Sequence, residues 1–382
     1  MKADVAVVGA GPAGSSATAV LARGGFKVIL LEEHDRPGEP QHCAGMLTKE
    51  ACRRLGIRVP GDAVQSEPER VTVHYRGAVL EFGLDMYVLD RAAFDQHMAD
   101  LAVKSGAELL TGYKVVGMSR EGGLWVLRAR TGPEVKAELV LGADGYKALS
   151  LRWAGLETRR EVASCIQYEL RLDREVDMGT VSCYFGSSIA PGGYAWVVPI
   201  GQREVRVGLG VRRAVRPAKH YLDALVSSLF PSATVLRRLA GLVTTSGPLR
   251  RAYAEAFMAV GEAAGHVNPL TGAGIASSIA SGRAAALVAS RALEGGDLSA
   301  GRLSEHYRVW RSAVGRYHEL AMEARRLLET VPGRELGDLA LRASGSSGKT
   351  GLLTAALGFL LRRPRALRLL TRYRDLRTAL AL

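Results

Sequence analysis

A glycine-rich loop near the start of the chain limits its possible folds more than any other feature. Residues 9–14 read GAGPAG, between an apolar segment (4–8) that predicts a buried strand and an alanine-rich segment (13–24) that predicts a helix. A second apolar segment, KVILLEE (27–33), completes a βαβ unit. The opening of the chain therefore predicts a Rossmann-like sheet whose central strands are parallel.

The same loop predicts a dinucleotide site. Glycines after a strand let backbone N–H groups approach a pyrophosphate at a helix N-terminus, where the helix dipole favours negative charge. Glu32 ends the second strand, close to the roughly 20-residue offset at which an acidic side chain binds the ribose. The residues assigned to this site are Gly9, Gly11, Ala13, Gly14 and Glu32. The motif alone leaves open whether the dinucleotide is FAD or NAD.

The middle of the chain predicts a second sheet of a different kind. Strand periodicity without intervening helices favours antiparallel pairing. It is found in residues 162–172, 179–186, 194–200 and 203–212, and residues 69–82 alternate like a further antiparallel hairpin. From about residue 303 onward the pattern is mostly helical.

Size, charge and cysteine content exclude several classes of protein. The chain has 382 residues, enough for two domains or one large elaborated domain, and a formal net charge of +13. No window of 18 apolar residues occurs, and the N-terminus runs directly into a strand, so neither a membrane span nor a signal peptide is expected. The four cysteines lack CxxC spacing, which predicts no metal site and fits a cytoplasmic protein. Whether Cys165 and Cys183 pair is left open.

Several motifs, in a fixed order, resemble a known family over roughly residues 1–300. They are GAGPAG with Glu32, CAGML (43–47), LDRAAFD (89–95), GADG (142–145), YAWVVP (194–199) and GEAAGHVNPLTGAGI (261–275). With them the chain resembles the FAD-dependent p-hydroxybenzoate-hydroxylase-like flavoproteins and, among these, the geranylgeranyl reductases. The resemblance implies that the bound dinucleotide is FAD.

The resemblance also implies which residues hold the cofactor. Arg91 would contact the pyrophosphate, Val115 would line the adenine side through its backbone, and Asp144 and Gly145 would form a turn beneath the cofactor. A guanidinium suits a phosphate because its N–H groups form a fork.

Two further segments would reach the flavin end of the cofactor. The helix that follows the late glycine cluster would point its N-terminus at the ring, where its dipole stabilises negative charge. The residues implied here are Gly272, Gly274 and Ile275, together with Cys43, Ala44, Gly45 and Met46 of the early loop. Glu262 departs from the family, which usually has Asp there to bind the ribityl chain.

The substrate side rests on an aromatic pair. Tyr194 and Trp196 stand two apart on a predicted strand and share a face, so with Pro199 they are expected to line a tunnel for a prenyl chain. Ordinary core packing is the alternative. The candidate catalytic residues are Cys43 and Tyr194, with bound water as a third proton source. Cys43 could equally be an inert, small apolar residue, and His42 and His266 are weaker candidates because loop histidines are usually solvated.

The expected architecture is an α/β fold (an α+β composite). It has a Rossmann-like FAD-binding domain, an inserted antiparallel-sheet substrate domain and a helical C-terminal region. The expected divisions are 1–68, 84–160 and 245–300 for the first, 69–83 and 161–244 for the second, and 301–382 for the third. The expected activity is FAD-dependent saturation of prenyl C=C bonds by hydride transfer from reduced flavin plus protonation. NADPH or a ferredoxin-like protein would supply the electrons.

The C-terminus predicts a basic amphipathic helix. Its apolar face comprises Leu369, Leu370, Tyr373, Leu376 and Leu380, and Arg365, Arg368 and Arg372 lie off that face. Such a helix can rest on an anionic membrane surface, where a prenylated lipid would be delivered. The expected location is therefore the cytoplasm, peripherally at the membrane. A helix packed on its own domain is the alternative.

Two other functions share some of these features. A flavin monooxygenase has the same fold, and a basic flavoprotein could bind nucleic acid. The basic tail lacks stacking aromatics beyond Tyr373, so no nucleic-acid partner is expected. The segment ASGSSGKT (343–350) is similar to a phosphate-binding loop but follows no apolar strand, which indicates a linker.

Overall fold

The N-terminal strand β1 (Lys2–Val8) lies at the centre of the first sheet, because its apolar residues Val5, Ala6 and Val7 are buried completely. A computed structural model of the chain describes residues 1–157, 160–344, 363, 369 and 371–382. The segment 343–350, Leu370, Arg365, Arg368 and the side chain of Tyr373 therefore lie wholly or mainly outside the described residues.

The first sheet, here called the β1 sheet, has eight strands. Five run parallel in the order β18-β11-β1-β2-β8, β17 is added antiparallel to β18, and β10 and β9 branch antiparallel from the start of β11. The bounds are β2 (Val28–Leu31), β8 (Glu108–Leu110), β9 (Val115–Glu121), β10 (Leu124–Ala129), β11 (Val135–Gly142), β17 (Tyr253–Ala254) and β18 (Phe257–Ala259). Helix α1 (Pro12–Arg23) follows β1 after the glycine loop, which confirms the predicted βαβ opening.

The second sheet, here called the β12 sheet, has seven strands in the order β16-β12-β15-β14-β13-β5-β6. The bounds are β5 (Arg70–Tyr75), β6 (Ala78–Gly83), β12 (Val162–Arg171), β13 (Thr180–Phe185), β14 (Tyr194–Gly201), β15 (Glu204–Val211) and β16 (Thr234–Thr244). The predicted fully antiparallel pairing is wrong at one place, because β13 pairs parallel to β5. The β5–β6 hairpin comes from a distant part of the chain, so no tight turn forces it to run antiparallel to β13.

Strand β16 has no counterpart in the sequence analysis. Its sequence, TVLRRLAGLVT, places Leu236, Leu239 and Val243 at spacings as typical of a helix as of a strand. Pairing with β12 from Val162–Thr244 to Arg171–Thr234 decides the outcome. Tertiary context therefore overrides an ambiguous local pattern.

A third, three-stranded sheet lies between the other two. It contains β3 (Met46–Thr48), β7 (Met86–Leu89) and β4 (Val64–Ser66), in that order. Met86 and Val88 pack toward Trp196 and Val198 of the β12 sheet. Leu47 and Leu89 belong instead to a core formed with α6 and the C-terminal helices. The CAGML segment (43–47), which leads into β3, therefore lies between the β1 sheet and the β12 sheet.

The helices pack around these sheets. Their bounds are α2 (Lys49–Leu55), α3 (Arg91–Lys104), α4 (Leu149–Trp153), α5 (Ala218–Leu229), α6 (Ile275–Glu294), α7 (Ala300–Leu303), α8 (Glu305–Trp310), α9 (Arg316–Thr330), α10 (Gly333–Ser344) and α11 (Tyr373–Ala381). Helix α5 covers one face of the β12 sheet through Leu222 and Leu225. Among the described residues, no helix is both long and apolar enough to span a membrane.

The predicted apolar face of the C-terminal helix is partly used for internal packing. Leu369 is buried and Leu376 partly buried against Leu320 and Ala324 of α9. The α11 carbonyls of Ala379 and Ala381 accept hydrogen bonds from Asn268 and Thr48. Leu380, also on the predicted apolar face, is exposed. The described part of the tail is therefore a packed helix, which the sequence analysis held as the alternative to a membrane-bound one.

Candidate functional site

The glycines of the first loop are needed for two different reasons. A Cβ on Gly9, whose φ is +102°, would lie 2.5 Å from the carbonyl oxygen of Ala143, and one on Gly14 would overlap the carbonyl of Gly9. A Cβ on Gly11 would meet nothing within 4 Å, and its φ of −72° suits any residue. Gly9 and Gly14 thus permit close backbone packing, and Gly11 keeps open space before α1. This arrangement fits a pyrophosphate at the helix N-terminus.

Glu32 lies against the same loop. Its Oε2 accepts the N–H of Ala10 at 2.9 Å, and its Oε1 accepts the N–H of His34 at 3.0 Å. The side chain is 9% exposed. The structure therefore brings together the acid and the glycines that the sequence spacing paired.

The late glycine cluster contacts the early one directly. A Cβ on Gly261 would lie 2.7 Å from the Cβ of Ala13, and one on Gly282 would overlap the Ala13 carbonyl. The Ser16 hydroxyl donates to the carbonyl of Ile279 on α6 at 3.3 Å. Helix α6 begins after Gly274, and through these contacts its N-terminal half packs against the start of α1.

The predicted cofactor residues of the intervening segments lie around these loops. Asp144 accepts hydrogen bonds from the N–H and hydroxyl of Ser150, and the carbonyl that precedes it packs beneath Gly9. Gly145 has a φ of +63° and begins the turn that follows. Val115 is buried at the start of β9, in the core beside Leu31 and Tyr113.

Arg91 forms a buried ion pair. Its Nε and Nη2 donate to the Asp95 carboxylate at 2.7–3.1 Å. Burial works to lower the pKa of Arg91, but Asp95 and the nearby Cys43 outweigh that, so the net pKa is raised. A permanently charged guanidinium beside the loops fits a pyrophosphate contact.

Glu262 reaches across to the β12 sheet. Its Oε1 accepts the N–H of Thr244 at 2.8 Å, and its own carbonyl accepts Nη1 of Arg160 at 2.9 Å. Burial raises the pKa of Glu262, and the Thr244 N–H opposes this by stabilising the ionised form. The extra methylene, compared with the Asp usual in the family, lets this carboxylate tie the end of β16 to the glycine turn.

Cys43 lies in a loop whose backbone is held from the β12 sheet. The N–H of Gly45 donates to its sulfur at 3.4 Å, and Nε2 of Gln167 donates to its carbonyl at 3.2 Å. Nη1 of Arg206 donates to the next carbonyl, that of Ala44, at 2.9 Å. Gly45 has a φ of +84°, and a Cβ there would overlap the carbonyl of Leu89. The loop is therefore fixed from both sides, and Met46 continues it into β3.

Tyr194 connects the β12 sheet to the late glycine cluster. Its hydroxyl donates to the carbonyl of Thr271 at 2.5 Å, next to Gly272. Burial raises the pKa of Tyr194 well above its usual range. Its ring stacks on Phe185 at 5.4 Å and meets Trp196 edge-on at 5.8 Å. The phenol is thus held neutral, with its proton directed at a backbone carbonyl.

Trp196 lies flat beside a glycine on the same face of the sheet. A Cβ on Gly208 would lie 2.6 Å from both the Trp196 ring and the Cβ of Gln167. Nε1 of Trp196 and Oε1 of Gln167 are buried without a hydrogen-bond partner among the described residues. An unpaired donor and an unpaired acceptor on one face of the sheet match a group that both accepts and donates, which is a hydroxyl or a water.

Pro199 and the remaining thiols complete this face. The Pro199 carbonyl accepts the hydroxyl of Ser66 at 2.6 Å. Burial raises the pKa of Cys165 and Cys183 to about 12, which keeps both as unreactive thiols. Strands β15 and β14 separate them, so their backbones are about 14 Å apart, too far for a disulfide.

His266 is not a loop residue open to solvent, as the sequence analysis assumed, but part of the core. Its ring stacks on Trp310 at 3.6 Å, Trp310 meets His318 edge-on at 5.4 Å, and Nδ1 of His266 lies 2.7 Å from the hydroxyl of Ser281. Burial lowers the pKa of His266 well below 6.5 and that of His318 to about 4. Both rings are therefore neutral near pH 7.

Because His266 and His318 are buried and neutral, we expect the protein to lose stability in acid. Because the folded protein takes up protons on them less readily than the unfolded chain, stability falls as the pH drops below the unfolded pKa of about 6.5. His318 alone should cost about 2 kcal/mol at pH 5. Urea unfolding at pH 7.5 and 5 measures the difference, which should shrink in His318→Leu but not in His220→Asn, where the ring is exposed. Equal pH dependence in all three proteins would contradict it.

Sequence reasoning missed Gln167, Arg206 and Arg160, which hold the loops in place. All three are polar residues in segments that predicted only strands or turns. The one available signal was a charged or amide residue inside an apolar strand pattern, which does not reveal its partner.

Comparison with known proteins identifies the family. The geranylgeranyl reductase catalytic domain matches residues 161–243, and an NAD(P)-binding Rossmann-like domain matches residues 7–39. A digeranylgeranylglycerophospholipid reductase of Methanocaldococcus jannaschii is 33% identical over 359 residues, which are 88% of this chain and 89% of that relative.

Solved structures show the same fold. A geranylgeranyl bacteriochlorophyll reductase-like protein of Thermoplasma acidophilum is 27% identical, with a TM-score of 0.85 over 98% of this chain and 99% of that one. The flavin-dependent brominase Bmp2 shares the fold alone, at 15% identity and a TM-score of 0.68 over 96% of this chain and 100% of that one. The glycine loops, their fit to a dinucleotide and the match along the chain agree: this protein belongs to the geranylgeranyl reductase family of FAD-dependent oxidoreductases.

Proposed function

We propose that the enzyme saturates the C=C bonds of geranylgeranyl chains on a membrane glycerophospholipid. The observation that carries this proposal is the 33% identity with a digeranylgeranylglycerophospholipid reductase over 88% of the chain. The aromatic face of the β12 sheet supports it, because Tyr194 and Trp196 lie between the Cys43 loop and the Thr271 loop.

The glycine loops of the β1 sheet would hold FAD. Gly11 and the start of α1 would hold the pyrophosphate, Arg91 would supply its cation, and the Glu32 carboxylate would bind the ribose. Val115, Asp144, Gly145 and Glu262 would line the cofactor between its ends. At the flavin end it would meet Cys43, Ala44, Gly45, Met46, Gly272, Gly274 and Ile275. Bound FAD, once reduced, supplies hydride.

The protein's own residues would place the prenyl chain and exclude water. Tyr194 and Phe185 are partly exposed and would present ring surface to the chain, and Trp196 behind them is packed among Met86, Val88, Val181 and Val198. An isolated alkene is unpolarised, so its reduction depends on close positioning in a water-poor site. Pro199, whose carbonyl is fixed by Ser66, would end this surface.

Cys43 is the better of the two candidate proton donors. The Tyr194 hydroxyl already donates to Thr271, and its raised pKa makes it a weak acid. We therefore assign Tyr194 to positioning the Thr271 loop and lining the substrate. Cys43, or a water held by Gln167 and Trp196, would deliver the proton.

We further propose that the enzyme works peripherally at a membrane on the cytoplasmic side. Arg374 and Arg377 are exposed on α11, Arg372 is exposed directly before it, and Leu380 is exposed near its end. Cations next to an apolar side chain suit an anionic lipid surface. The proposal also includes the division into an FAD-binding domain, an antiparallel-sheet substrate domain and a helical C-terminal region. It includes NADPH or a ferredoxin-like protein as the electron donor.

The test is the mass of the product. Enzyme loaded with FAD and reduced with dithionite should convert a digeranylgeranyl phospholipid in mixed micelles to products heavier by two hydrogens for each reduced bond. The same reaction run in air distinguishes the rival function, because a flavin monooxygenase would add oxygen. An unchanged lipid in both reactions, with flavin bound, would refute the proposed substrate.

A further inference from the structure

Two side chains of the β12 sheet donate hydrogen bonds to consecutive backbone carbonyls of the loop that contains Cys43. Gln167 on β12 donates to the carbonyl of Cys43, and Arg206 on β15 donates to that of Ala44. Gln167 is 2% exposed and Arg206 is 1% exposed. Their strands pair directly, with Gln167 opposite Gly208 and Glu169 opposite Arg206. Both donors thus come from one rigid surface.

Arg206 is itself held in place by other groups. Its Nη2 donates to Oε1 of Glu169 at 2.9 Å and to Oε1 of Gln65 at 3.1 Å. Glu169 also faces Arg237 at 3.7 Å. The guanidinium therefore cannot turn away from the loop without giving up its hydrogen bonds to Glu169 and Gln65, and these partners hold it against the Ala44 carbonyl.

The orientation of the Gln167 amide follows from its partner. A carbonyl oxygen accepts a hydrogen bond only from a donor, so the amide nitrogen must face Cys43 and Oε1 must point away. That oxygen lies on the face that carries Trp196, where it has no partner among the described residues. A residue that only filled the core would need neither polar end, because an unpartnered buried amide oxygen is costly.

We propose that Gln167 is a positioning residue, which with Arg206 holds the Cys43 sulfur at a fixed distance from the Trp196 face. The proposal rests on the proposed function for its catalytic meaning. The hydrogen bonds from Gln167 and Arg206 to the Cys43 and Ala44 carbonyls, here called the tether, are a property of the folded chain and can be measured without substrate.

The test uses Gln167→Glu, Gln167→Leu and, as a control, Gln202→Glu in an exposed turn. A protonated glutamic acid can still donate to the Cys43 carbonyl, whereas its carboxylate cannot. Burial favours the protonated form, and the neighbouring Arg206 cation, already paired with Glu169, opposes it. Gln167→Glu should therefore keep the tether in acid and lose it in alkali, and Gln167→Leu should lack it at every pH.

The direct readout is the rate at which iodoacetamide modifies Cys43, followed by peptide mass spectrometry. Cys183, which burial keeps unreactive, serves in the same digest as the control for general loosening. Rates are expressed relative to the wild type at each pH. We expect about a tenfold faster modification of Cys43 in Gln167→Leu at all pH values, and in Gln167→Glu only at high pH, with Cys183 unchanged. Wild-type rates in both variants would overturn the proposal.

A second readout connects the tether to turnover. We expect kcat to fall about tenfold in Gln167→Leu with KM little changed. In Gln167→Glu, kcat should stay near the wild-type value at low pH and fall at high pH, where the modification of Cys43 becomes faster. If the variants change the reactivity of Cys43 but the wild-type protein reduces no prenyl lipid, the tether is confirmed and the proposed function is refuted. Equal acceleration at Cys43 and Cys183 would mean general loosening and would overturn the positioning role.

Discussion

Gly11→Ala is expected to weaken FAD binding at least about a hundredfold, or ~2.7 kcal/mol, while leaving the folded chain as stable as the wild type. The new methyl group would meet no protein atom within 4 Å, and the φ of −72° at this position suits alanine. It would instead project into the space before α1 that we assign to the pyrophosphate. Titration of the apoprotein with FAD, followed by flavin fluorescence, measures the affinity, and thermal unfolding measures stability.

Gly14→Ala is the matched contrast three residues away. Its methyl group would overlap the carbonyl of Gly9, so this variant should lose stability even without FAD. The two variants of one motif would then be impaired for separate reasons: Gly11→Ala would exclude the ligand, and Gly14→Ala would disturb the packing of the helix on the strand. Wild-type FAD affinity in Gly11→Ala would show that the pyrophosphate lies elsewhere.

The second large effect is expected at Arg206. Arg206→Ala should destabilise the fold by about 3–5 kcal/mol, because it removes a fully buried guanidinium and leaves the largely buried Glu169 with only the more distant, exposed Arg237. It also removes the donors to Ala44 and Gln65. Urea unfolding at pH 7.5 measures the loss, and circular dichroism confirms that the starting material is folded.

Arg171→Ala provides the control on the same pair of strands. Arg171 faces Glu204 at 2.8 Å, a distance like that of Arg206 to Glu169, but Arg171 is exposed to solvent and Glu204 is partly exposed. An exposed pair contributes about 0.2–1 kcal/mol, so this variant should stay near the wild type. Similar losses in the two variants would mean that burial does not govern the energy of the Arg206 pair.

Local patterns predicted the parts of the fold that depend on local chemistry. The strand before GAGPAG, the helix after it and the strand ending near Glu32 were all predicted, because apolar runs and glycine positions specify them directly. The four strands from residue 162 to 212 followed from their alternation. The family itself followed from the order of the motifs.

What sequence reasoning missed depends on partners far away in the chain. Strand β16 forms because β12 offers a partner, and the β5–β6 hairpin joins β13 in parallel because it arrives from a distant segment. His266 looked like a loop residue, but packing on Trp310 buries it. Gln167 and Arg206 act on Cys43 and Ala44 across more than 120 positions, a distance that no local pattern records.

An anaerobic half-reaction tests the central claim most directly. Enzyme with bound FAD, reduced by one equivalent of dithionite and mixed with a digeranylgeranyl phospholipid without oxygen, should regain the absorbance of oxidised flavin. The lipid should gain two hydrogens for each flavin reoxidised. Flavin that stays reduced while the lipid is present, or a purified protein that takes up no FAD, would contradict the account.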